Sequence, residues 1–81
     1  MTTYDSPARV VAAGHQYGWD VRLLGLSGEH IVRRDGMVIT VRYDRVWRVR
    51  SATWRQLGPE HRITGGIDAV VKQMRMHGNP E

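Results

Sequence analysis

Eleven of the twelve cationic side chains in this chain of 81 residues are arginines, and Arg42 to Arg50 holds four of them. A guanidinium grips phosphate or carboxylate through two parallel hydrogen bonds, whereas an ammonium offers a point charge, so such a set is suited to anion recognition. Twelve cations against eight carboxylates leave a net charge of +4, with a pI near 10.3. Arg22, Arg33, Arg42, Arg48 and Arg50 are expected to form a stripe across one sheet face, with Arg45 and Arg55 completing the set of candidate nucleic-acid contacts. A stripe of this kind would neutralise several phosphates and make binding strongly salt-dependent. The alternative is a solvated face that keeps an open-edged sheet soluble, with Asp20 and Glu29 neutralising part of it. Arginine preference also follows genomic base composition.

A second cluster, Trp54, Arg55, His61 and Arg62, mixes an aromatic with basic groups, as anion and base-stacking sites do. Its alternative is a Trp54 that seals the edge of the core beside solvated neighbours. The histidines His15, His30, His61 and His77 are not paired with one another or with cysteine at metal-ligand spacing, and the chain has no cysteine. No Ser/His/Asp set or carboxylate pair is legible, and Gly25-Leu26-Ser27-Gly28 lacks the lysine and spacing of a phosphate loop. The expectation is therefore a protein that is not an enzyme and needs no cofactor or metal.

The elements that must position these residues follow from periodicity. Ser6-Pro7 opens a helix with Val10, Ala13, Gly14 and Tyr17 on one face, and Gly18 closes it. Trp19 to Leu24 alternates as a first strand, and Gly25 to Gly28 form a loop. Glu29 to Arg34 and Met37 to Tyr43 flank Asp35-Gly36, the strongest hairpin signal in the chain. A two-residue loop sets Arg34 opposite Met37, Val32 opposite Ile39 and His30 opposite Val41 on an apolar surface, with Arg33/Val38, Ile31/Thr40 and Glu29/Arg42 on the other. Arg45 to Trp54 reads as a fourth strand. A three-residue turn at Asp44-Arg45-Val46 puts Arg48 and Arg50 on the side of Arg33 and Arg42; a two-residue turn reverses this.

Arg55 to Gly66 reads as a surface loop. Ile67, Val70, Val71 and Met74 then recur at helical spacing before a stop at Gly78-Asn79-Pro80. The expected fold is α+β, an α-β-β-β-β-α antiparallel meander with both helices on one sheet face, forming a single domain over 1–81 with its ordered core at about 6–77. With no cysteine, no apolar spanning run and a polar Met1 to Ser6, a cytoplasmic protein with no membrane partner is expected.

The run Leu26-Ser27-Gly28-Glu29-His30-Ile31-Val32-Arg33-Arg34-Asp35-Gly36-Met37-Val38-Ile39-Thr40-Val41 resembles the central hairpin of HicA-type messenger-RNA interferase toxins, small α-β-β-β-α proteins shaped like the double-stranded-RNA-binding domain. That resemblance implies ribonuclease chemistry with His30 as the counterpart of the family's histidine. Here the local order is Ser-Gly-Glu-His, an extra strand follows, and the proline that usually ends the family's hairpin is absent. The hairpin register also points His30 towards the apolar face, where a structural histidine is the commoner occupant. More broadly, Val10 through Gly18-Trp19, the Arg-rich strands and the Gly65-Gly66 helix entry look like small actinobacterial and actinobacteriophage proteins of unknown function. This implies an accessory or host-modulating protein.

Three readings follow. The leading one is a small binding protein that contacts DNA or RNA phosphates with little sequence preference. A second is a protein-interaction module, either a homodimer or a binder of a host protein, working through apolar side chains including Trp54, Met74 and Met76. The third, the ribonuclease, requires His30 beside a solvent-open groove.

Overall fold

A computed structural model describes residues 6–24 and 28–78 of the chain. The element order is α1 (Ser6–Tyr17), β1 (Asp20–Leu24), β2 (Glu29–Arg34), β3 (Met37–Tyr43), β4 (Val49–Arg55), β5 (His61–Ile63) and α2 (Gly66–Met76). The five strands form one antiparallel sheet in the order β1-β2-β3-β4-β5, so the chain is an α+β meander.

The hairpin is the anchor of the register. Asp35 and Gly36 have φ of 49° and 81°, the pair of left-handed residues a two-residue turn needs to match strand twist. Arg34, Val32 and His30 consequently pair with Met37, Ile39 and Val41, as the alternation predicts. Because successive side chains point to opposite faces, this parity propagates through the sheet. One face carries Val21, Val32, Ile39, Val41, Ala52 and Ile63, and Val10 and Ala13 of α1 and Val70 and Met74 of α2 join it in one core.

The two helices are tied to this face and to each other. Trp19 is buried and its Nε1–H donates to the Met74 carbonyl at 2.9 Å. Arg9 pairs with Asp68 at 2.7 Å on the surface. Gly14 is required where α1 meets β1, because a Cβ there would run into the Val21 side chain and sit 3.3 Å from the Trp19 carbonyl.

Four expectations need correction. The sheet has five strands, since β5 lies inside the segment expected to be a loop. Its three residues are bounded by turn-forming Gly58-Pro59 and Gly65-Gly66, so its alternation is too brief to register. The fourth strand begins at Val49, not Arg45, and neither two- nor three-residue turn is present. Tyr43 pairs with Val49, leaving 44–48 between them, and the register shifts at Arg42/Tyr43. The Asp44 carboxylate organises that loop: Oδ1 accepts the Val46 and Arg48 backbone N–H groups at 3.0 and 2.9 Å, and Oδ2 accepts Arg48 Nε–H at 3.0 Å. Finally, Met74, expected on an interaction surface, is fully buried. The expected loop at 25–27 and the stop at 79–80 lie outside the described residues.

Candidate nucleic-acid interface

The face of the sheet away from the helices is a grid set by strand pairing. Asp20, Arg33, Val38 and Arg55 share one row; Arg22, Ile31, Thr40, Thr53 and Arg62 share the next; Glu29, Arg42 and Ser51 share a third. Of the seven arginines expected to bind nucleic acid, the structure brings four onto this face: Arg22, Arg33, Arg42 and Arg55. Arg45 and Arg48 instead lie in the Asp44 loop, and Arg50 sits where the β3–β4 register shifts. The stripe expected from Arg42 to Arg50 does not form, because the loop and the shift take three of those four residues off the regular alternation.

Carboxylates occupy part of what remains. Arg42 Nε meets Glu29 Oε2 at 2.6 Å, and Arg22 Nε meets Asp20 Oδ2 at 3.2 Å. Arg48 is held by Asp44, whose carboxyl lies below its ordinary range chiefly because it accepts the Arg48 backbone N–H. Among the described residues, Arg33, Arg45, Arg50, Arg55 and Arg62 are exposed and have no carboxylate partner.

Arg62, expected in a cluster with Trp54, Arg55 and His61 and not in the stripe, joins Arg55 on the outer face, while Trp54 and His61 pair on the helix side. Arg62 lies opposite Thr53 on β5. It lines a polar cleft of about 340 Å³ over the middle of the sheet with Thr40, Arg42, Ser51, Thr53, Glu29 and Glu60. Within it, the Thr53 hydroxyl donates to Glu60 Oε2 at 3.1 Å. Arg62 also lines a neighbouring hollow of about 390 Å³ with Arg50, Ser51 and Thr64, beside Gly65 and Gly66 at the start of α2. The usable signal was the single polar–apolar step Arg62-Ile63 between two glycine turns.

Among the described residues the face carries guanidiniums, hydroxyls, carboxylates and the aliphatic Ile31 and Val38, and no aromatic ring. The rings lie elsewhere: Trp54 is half-buried on the helix side, stacked on His61 with centroids 4.5 Å apart and tilted towards His77 at 5.9 Å. Among the described residues the face therefore offers no stacking platform, and its exposed guanidiniums are groups that can pair with an anion.

His30 is a core residue. It is 3% exposed, its Nδ1 is 2.6 Å from the Tyr43 hydroxyl, and the two rings meet edge to face. Burial lowers the pKa of His30 and raises that of Tyr43. The ribonuclease reading requires this histidine beside a solvent-open groove, whereas its ring is buried against Tyr43. Among the described residues no group of three or more His, Cys, Asp or Glu side chains could hold a metal, and no helix is long and apolar enough to cross a membrane.

The chain matches no protein-family model, no curated protein and no solved structure.

Proposed function

We propose that this protein is a binding domain that contacts nucleic-acid phosphates, without chemistry of its own, through the outer face of its sheet. The observation that carries this reading is the set Arg33, Arg55 and Arg62: three exposed guanidiniums on one face, each lacking a carboxylate partner among the described residues. Arg33 and Arg55 stand two strands apart, about 10 Å by normal strand spacing. That span suits separate phosphates better than one. Arg22 and Arg42 stand on the same face, but Asp20 and Glu29 offset their charge, so the three unpaired guanidiniums carry the positive potential. With no ring to stack on, recognition runs through the backbone of a duplex, and sequence preference is slight.

The test is fluorescence anisotropy with labelled duplex and single-stranded probes at 50 and 200 mM salt. Three phosphate contacts on B-form DNA imply a log–log salt slope of about −2.7, or about a 40-fold loss of affinity over that range. Absence of duplex binding at the lower salt overturns the proposal.

A further inference from the structure

The edge of the sheet beside α2 borders the outer face at Arg62. Between β5 and α2 runs a groove of about 370 Å³ whose lining includes Ile63, Ala69 and Met76, with Arg62 and Lys72 as its only charged residues. Met76 is 59% exposed, and Lys72 is exposed too. Gln73 contributes a side-chain oxygen that is buried yet has no hydrogen-bond partner among the described residues.

One wall of this groove is a sheet edge, since β5 is the last strand. Which backbone groups it offers follows from the ladder. The Tyr43 N–H donates to the Gly28 carbonyl at 3.0 Å, so Tyr43, Val41 and Ile39 turn their backbone groups towards β2, and Arg42, Thr40 and Val38 turn theirs towards β4. Carried onward, Ala52 and Trp54 face Ile63 and His61 with theirs, and the N–H and C=O of Arg62 are left on the open side.

We infer that this edge and groove bind a short extended peptide of acidic character, added to β5 as a sixth strand. The alternation of the added strand defines its pattern. The residue opposite Arg62 projects on the outer face beside that guanidinium and is acidic. Its two neighbours project to the helix side, over Ile63, Ala69 and Met76, and are apolar. Lys72 completes a cationic rim that favours further acidic residues. A second copy of this chain is a poor occupant, because antiparallel pairing about Arg62 would set like charges opposite each other. A three-residue edge is also too short to hold another sheet by backbone bonds alone, so side chains in the groove must supply specificity.

The probe is a blocked pentapeptide, Ser-Val-Glu-Val-Ser, against its counterpart with Lys at the centre, titrated into the isotope-labelled full chain and followed by amide NMR and hydrogen exchange. Saturable shifts at 61–64 and 69–76, slowed exchange of the Arg62 N–H, and about fivefold weaker binding of the Lys peptide are expected. Both Met76→Asp and Lys72→Glu change exposed positions and should weaken the Glu peptide while leaving duplex binding by the outer face in place. Shifts centred on Arg33 and Arg55, equal binding of both peptides, or no response at millimolar peptide overturns the inference. Loss of duplex binding in Arg33→Gln/Arg55→Gln with peptide binding intact separates this site from the outer face.

Discussion

Replacing Tyr43 by Phe removes one oxygen atom and isolates a buried nitrogen. The Tyr43 hydroxyl, 2.6 Å from His30 Nδ1, is the only hydrogen-bond partner found for that nitrogen among the described residues, and both residues are under 8% exposed. The phenyl ring keeps its edge-to-face contact with His30 and its tilted contact with Trp47, so packing is nearly unchanged. What is lost is a buried bond whose surviving partner stays desolvated, which costs about 2 kcal/mol. For a domain of this size that is roughly a 10 °C fall in Tm. Urea denaturation followed by tryptophan fluorescence measures it, with the midpoint falling at constant slope. The double variant His30→Leu/Tyr43→Phe removes both polar partners and should lose less than the sum of the single changes, since no buried atom is left unpaired. A Tyr43→Phe variant as stable as the parent, or strictly additive losses, would refute the view that this pair is a structural device.

The same histidine sets a pH dependence. Its pKa is lowered from 6.5 by burial, so the unfolded chain takes up the proton first, and stability falls as pH drops from about 6.5 towards the depressed folded value. Denaturation at pH 7.5 and 5.5 should show this loss, and His30→Leu should flatten it; an unchanged pH profile in the variant contradicts the assignment. Gly14→Ala forces a methyl against Val21 and should destabilise by about 1–3 kcal/mol, in contrast to the usual gain from alanine in a helix. Gly36→Ala places a side chain at φ 81° and should cost about 1–2 kcal/mol, read by the same denaturation assay.

Where local chemistry fixes geometry, the sequence was sufficient. Asp35-Gly36 admits one tight turn, that turn admits one register, and the register alone put His30 inward and Arg33 and Arg42 outward. The helices were legible because Val10, Ala13 and Gly14, and Val70 and Met74, recur at helical spacing and are buried. The Arg42 to Arg50 segment was opaque for a physical reason. Trp47 and Val49 alternate with Arg48 and Arg50 like a strand, yet Asp44 captures two backbone N–H groups and Trp47 adopts φ 63°, ending β3 in a loop. Binary patterning cannot express a side chain that competes with the ladder for backbone donors. β5 escaped because it is held by pairing with β4 rather than by any pattern of its own, and Arg62 was misplaced with it. Asp20 and Glu29 were expected to neutralise part of the face, and they do so through Arg22 and Arg42.

The most direct measurement compares the salt dependence of duplex binding in two variants of equal net charge. Arg33→Gln/Arg55→Gln removes two unpaired guanidiniums from the outer face, and Lys72→Gln/Arg75→Gln removes two exposed cations from α2. The first should make the log–log slope shallower by about 1.8, and the second should leave it unchanged. Equal changes in both would mean that overall charge, and not this face, attracts the polyanion.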